Sequence, residues 1–205
     1  MTNQQYLCRA ELLKGIFKSV NELDTGQETT NPYILALRHY KTPLDLDGLN
    51  AVLTYHGITI TQQEFDLFSS MKSTSLPYPL PNNDEHVHSV IGAMTKHKAN
   101  MVAGVYVLTL DQDGRQYVGS SGNISMRLRT NYNTKAKVSG RTMAGPVSSL
   151  GPTAFNLDVY ILPLDKLVQF SPMSSGVILA LEQYLILTLK PALNDMRVAG
   201  VKLNT

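Results

Sequence analysis

Residues 104 to 119 read GVYVLTLDQDGRQYVG, and the interpretation of the whole chain starts from them. Val102 to Leu110 is dense in β-branched and aromatic residues, Asp111-Gln112-Asp113-Gly114 carries turn chemistry, and Arg115 to Gly119 resumes the strand character. The pattern predicts a β-hairpin. With Asp111 to Gly114 as the loop, Leu110 stands opposite Arg115, Leu108 opposite Tyr117 and Tyr106 opposite Gly119. Alternation along each strand then puts Tyr106 and Tyr117 on one face as diagonal neighbours, with open space over Gly119. Paired phenols on a sheet are ordinary packing in most hairpins, so their meaning depends on what flanks them.

Downstream, Ser120-Ser121-Gly122-Asn123 is a polar turn whose last residue is a good helix N-cap. Ile124 and Leu128 are spaced to face the sheet, while Arg127 and Asn131 fall on a neighbouring face. An arginine early in a helix that follows a glycine-containing loop can reach a phosphate alongside exposed backbone N–H groups. Phe155 to Leu162 alternates as a third strand. Ser174 and Ser175 cap a helix that begins near Gly176 and runs to Leu189, with Pro191 just beyond. That helix is apolar almost all round and therefore buried. Glu182 is its one acidic residue, and an unpaired carboxylate inside an apolar helix costs several kcal/mol. It requires a hydrogen-bond partner such as a tyrosine, a place at the helix edge, or a metal ion.

Gly104-Val105-Tyr106 and Tyr117-Val118-Gly119, separated by ten residues, resemble the paired motifs of the GIY-YIG nuclease family. Arg127, eight residues after Gly119, is similar to the family's arginine, and Glu182 followed by Pro191 and Asn194 is similar to its closing motif. The resemblance spans residues 102 to 200. Tyr117-Val118-Gly119-Ser120-Ser121 and Asn194-Asp195-Met196-Arg197-Val198-Ala199-Gly200 look most like the cleavage domains of homing endonucleases encoded in organellar group I introns.

The resemblance implies an α/β (α+β) fold with a small three-stranded antiparallel sheet flanked by helices, in the order strand, strand, helix, strand, helix. It implies a nuclease domain over residues 101–205, preceded over 1–100 by a mainly helical region of unknown role. The implied activity is metal-dependent hydrolysis of phosphodiester bonds in double-stranded DNA. Glu182 would hold Mg²⁺ (or Mn²⁺), Arg127 would neutralise charge on the phosphoryl oxygens, and Asn194 would order the site from behind. Tyr106 or Tyr117 would activate water, which requires a phenol brought down from its ordinary pKa of about 10. The implied location is intracellular, and mitochondrial if the organellar likeness extends so far. Relatives place a histidine or tyrosine four residues after the arginine, where this chain has Asn131, so Tyr132 is expected to substitute. Two alternatives share the fold: a repair or restriction nuclease, and a DNA-binding module without catalysis.

Charge supports a polyanionic partner. Residues 1–103 carry eight Lys/Arg against ten Asp/Glu, whereas residues 104–205 carry ten against six. Gly114 to Leu157 contains no acid, and its Arg129, Lys135, Lys137 and Arg141 are expected to contact the DNA backbone. A single cysteine, Cys8, excludes an internal disulfide and a thiolate-only zinc site. No signal peptide is evident, and Val177 to Leu189 is too short to span a bilayer, so no membrane association is expected.

The first hundred residues promise helices and little chemistry. Leu7 to Val20 has helical periodicity, Asp47 to Tyr55 predicts a short helix stopped by Gly57, and Thr61-Gln62-Gln63-Glu64 predicts a capping box. Ser73 to Asn83, with three prolines, is expected to be a boundary or linker, and a helix is expected over 84–98. His39, His56, His86, His88 and His97 all lie here and are expected to be structural or at the surface.

Overall fold

The hairpin is present in the expected register, at one side of a larger sheet than the one expected. The structure is a computed structural model that describes residues 43–80, 103–125, 127–128, 150–162, 174–194 and 199. Four strands, β1 (Thr74–Leu76), β2 (Gly104–Leu110), β3 (Gln116–Ser121) and β4 (Phe155–Ile161), form one antiparallel sheet in the order β1-β4-β2-β3. Leu108 pairs with Tyr117 and Tyr106 with Gly119, and the Leu110 N–H donates to the Arg115 carbonyl at 2.9 Å to close the loop. Gly114 sits at φ 72°, the left-handed conformation that a glycine adopts without steric cost.

Two strand expectations are corrected. Thr74–Leu76 lies within the stretch expected to be a linker, yet it pairs with Leu157–Val159 and makes a fourth strand. A three-residue strand next to prolines has no periodicity to read, so only its pairing partner reveals it. Ser120 and Ser121 are expected in a turn, yet β3 continues through them, opposite Val105 and Gly104. Their hydroxyls suit a strand as well as a turn, and the partner strand decides between the two.

Helix ends follow local chemistry. α1 (Leu46–Leu53) starts where the Asp45 carboxylate accepts from the Gly48 N–H at 2.8 Å, and its 3-10 continuation Thr54–His56 stops at Gly57, which takes φ 65°. α2 (Gln62–Ser70) opens on the expected capping box: the Glu64 N–H donates to Thr61 Oγ1 at 3.3 Å and the Thr61 N–H to Glu64 Oε2 at 2.6 Å. Asn50 ties these helices together, accepting from the Ile60 N–H at 2.9 Å and donating to its carbonyl at 3.0 Å. α3 (Ser174–Leu189) begins two residues before Gly176, so both serines fall inside it. Lys190 leaves the helix at φ 52°, and Pro191 follows.

Alternation along the strands divides the interior in two. On one face Val105, Val107 and Val118 pack with Leu181 and Leu185 of α3 and with Leu49, Val52, Leu53, Ile60 and Phe68 of the N-terminal helices. On the other, Tyr106, Leu108, Leu110, Phe155, Leu157 and Val159 pack with Ile124, Leu128, Leu76 and Leu80. Residues 43–80 thus contribute to both cores. His56 hydrogen-bonds the Ala199 backbone, and its pKa is lowered by burial. The periodic stretch at 7–20, the segment at 84–98 and His39, His86, His88 and His97 lie outside the described residues. Among the described residues no helix is long and apolar enough to cross a membrane.

Candidate active site

Edge strand β3 is the element on which the expected site residues converge. Tyr117 lies on it, Gly119 accommodates Tyr106, Val118 is held by Asn194, Ser120 reaches Glu182, and the helical turn bearing Arg127 follows it.

The space opposite Tyr106 is occupied, which corrects the expectation of a gap over Gly119. A Cβ added at Gly119 would lie 2.6 Å from the Tyr106 hydroxyl oxygen and 2.7 Å from its Cζ, so the phenol rests directly on the glycine backbone. The Tyr106 and Tyr117 rings are tilted against each other with centroids 6.3 Å apart. Tyr106 is fully buried, whereas Tyr117 is half-buried. Of the two, Tyr117 is therefore the phenol that a large ligand can touch, and Tyr106 sets the position of its ring. Gly104 plays a similar part at the start of β2, where an added Cβ would run into the Tyr160 carbonyl oxygen.

Gly119→Ala should consequently displace the Tyr106 ring. Overpacking of this kind costs about 1–3 kcal/mol, and urea unfolding of the variant should show the loss. Wild-type stability in the alanine variant would mean that the close approach is not required.

Asn194 makes a two-way clamp on β3. The Val118 N–H donates to Asn194 Oδ1 at 2.8 Å, Asn194 Nδ2 donates to the Val118 carbonyl at 2.8 Å, and the Leu193 N–H donates to the Gln116 carbonyl at 2.9 Å. The turn after α3 thereby covers part of the sheet's outer edge, whose backbone groups would otherwise be unpaired.

Glu182 projects from α3 against the opposite face of β3 from the tyrosines, the face shared by Val118 and Ser120. It is 9% exposed, and Ser120 Oγ donates to its Oε2 at 2.6 Å. Burial pushes its carboxyl from the ordinary 4.5 up to about 7, against the opposing pull of the Ser120 hydrogen bond and the Arg127 charge. The Arg127 charge also acts on this group. The Arg127 backbone N–H donates to the Asn123 carbonyl at 3.0 Å in the helical turn that Asn123 opens, and the neighbouring Ile124 and Leu128 pack in the core with Tyr106. The described geometry brings together Glu182, Ser120 and Arg127, and places Tyr106 and Tyr117 on the far face of the same strand.

Ser120 is the polar group that sequence reasoning missed. Its spacing from Val118 was the available signal, because alternate residues of a strand share a face. Assigning it to a turn conceals that. Tyr132, Asn131, Arg129, Lys135, Lys137 and Arg141 lie outside the described residues.

No group of three or more His, Cys, Asp or Glu is assembled among the described residues, so the donors there do not form an all-protein cage for calcium or zinc. One carboxylate with a hydroxyl behind it fits Mg²⁺ or Mn²⁺, hard ions that keep several waters and take further oxygens from a phosphate. No family profile, curated protein or solved structure matches the chain.

Proposed function

We propose that this protein is a metal-dependent DNA endonuclease of the GIY-YIG kind, hydrolysing phosphodiester bonds in double-stranded DNA, with a homing-type role. The observation that carries the reading is the Glu182 carboxylate, kept inside an apolar helix under the charge of Arg127 and bonded to a hydroxyl donor from the strand that also carries Tyr117. A helix buried for packing alone gains nothing from an acid at that position.

In this reading Glu182 holds one divalent ion, Mg²⁺ or Mn²⁺, while Arg127 binds the phosphoryl oxygens and neutralises the charge that grows on them. The ion supplies polarisation of the phosphate and stabilisation of the leaving 3′ oxygen. Tyr117, on the other face of β3 with Tyr106 packed behind as its support, would orient water or the DNA backbone through its hydroxyl. Asn194 keeps β3, and with it Tyr117 and Ser120, in register against α3.

Incubation of supercoiled plasmid with the full chain, with and without Mg²⁺, tests the reading. Nicking that requires Mg²⁺ is expected. Binding without any cleavage would instead identify a module that keeps the fold without the chemistry, the alternative that Asn131 suggests. Cleavage confined to branched or damaged DNA would favour a repair nuclease over the homing type. DNA affinity should also fall with salt along a slope set by the basic segment. Replacing Arg129, Lys135, Lys137 and Arg141 by alanine should flatten that slope by roughly 0.9 for each phosphate no longer neutralised; an unchanged slope would remove those side chains from the interface.

A further inference from the structure

We propose that Ser120 is a positioning residue: by donating its hydroxyl to Glu182 Oε2 it fixes the rotation of the carboxylate and leaves Oε1 to receive the divalent cation. The inference rests on the metal-dependent reading above and extends it to a side chain to which the motif resemblance assigns no role.

Three observations support it. First, Ser120 is anchored. Its backbone is paired with Val105 in the β2–β3 ladder and lies two residues past Val118, which Asn194 clamps from the other side. The hydroxyl therefore originates from a rigid strand. Second, the 2.6 Å hydrogen bond spans 62 positions of sequence and joins β3 to α3, so it depends on the tertiary fold alone. Third, only one carboxylate oxygen is used. The hydrogen bond is made to Oε2, and among the described residues no hydrogen bond is directed at Oε1.

The terminal torsion of a glutamate is broad and roughly two-fold, so a carboxylate without a fixed donor exchanges its oxygens freely. A small hard cation that keeps most of its waters takes one oxygen from such a group, and orienting that oxygen in advance lowers the cost of binding. Arg127 acts on Glu182 through its charge, whereas the Ser120 hydroxyl makes a directed hydrogen bond to it, and a directed bond is what defines rotation. Removing a hydrogen-bonding group behind a metal ligand weakens affinity by roughly ten- to a hundred-fold.

The test compares Ser120→Thr with Ser120→Val, which have the same shape and differ in the hydroxyl, together with Ser120→Ala. Mn²⁺ is titrated into the full chain without DNA, and its affinity is read from paramagnetic broadening of the Val118 and Ser120 amide signals, or of the amide at the substituted position. Glu182→Gln reports the background. The wild type and Ser120→Thr should bind alike, whereas Ser120→Val and Ser120→Ala should bind roughly ten- to a hundred-fold more weakly. Equal affinity in all folded variants, whatever their change in melting temperature, would overturn the role of Ser120 and leave the metal reading intact. Broadening in the wild type no stronger than in Glu182→Gln would overturn the metal reading itself, and the role of Ser120 toward the cation with it.

Discussion

Glu182→Gln is expected to lower Mg²⁺-dependent nicking by roughly a hundred-fold or more while leaving the protein at least as stable as the wild type. Glutamine retains the size of the side chain and an oxygen that can accept from Ser120, and it removes the charge that holds a hard cation. The stability half follows from proton linkage. The Glu182 carboxyl titrates at about 7 in the folded chain, against an ordinary 4.5. Between those values the folded state holds a proton that the unfolded state has released, so stability falls as pH rises through the window and levels off above it. The full difference is about 3 kcal/mol. Urea unfolding at pH 5 and pH 8 should therefore show the wild type losing stability relative to Glu182→Gln at the higher pH when no divalent ion is added. Mg²⁺ bound at the ionised carboxylate should recover part of that loss in the wild type only. DNA affinity measured without metal should survive the substitution, because one repulsive charge has gone. Undiminished nicking by Glu182→Gln would exclude the carboxylate as a metal ligand.

A chain beginning at residue 100 is expected not to reach the native fold. It lacks β1, which covers the outer edge of β4, and it lacks Leu49, Val52, Leu53, Ile60 and Phe68, which pack against Val105, Val107, Val118 and α3. Burial of each large apolar side chain contributes about 1.5–3 kcal/mol. Losing these five removes on the order of 10 kcal/mol, comparable with the whole stability of about 5–15 kcal/mol typical of a domain. The exposed valine face of β2 and β3 would also present a large apolar surface to solvent. A cooperative melt and a well-dispersed amide spectrum from the fragment would show that the N-terminal helices are dispensable.

The elements visible in advance are those whose signal is local. The hairpin register follows from alternation and the length of its turn, and Leu108 opposite Tyr117 and Tyr106 opposite Gly119 are the pairs observed. The Thr61–Glu64 capping box and the Gly57 stop are likewise exchanges between residues a few positions apart. The burial of α3 follows from its composition, since a helix apolar on all sides has no face to offer water. Even the difficulty posed by Glu182 is legible, because an acid in such a helix requires an answer from somewhere.

What answers it is not legible. Ser120 lies 62 positions away, and a serine after a strand reads equally as turn or strand until its partner, Val105, is in place. Thr74–Leu76 has the same ambiguity: three residues beside prolines carry no period, and their strand character comes from Leu157 to Val159 across the ladder. The room over Gly119 can be inferred from the register, but that Tyr106 itself fills it depends on the cores packed on the two faces of the sheet. Local chemistry along the chain decides which segments become helix, strand or turn. Which side chains meet is decided only when burial on both faces of the sheet holds distant segments at hydrogen-bond distance, and for this protein that joins Ser120 of the edge strand to Glu182, within the influence of the Arg127 charge.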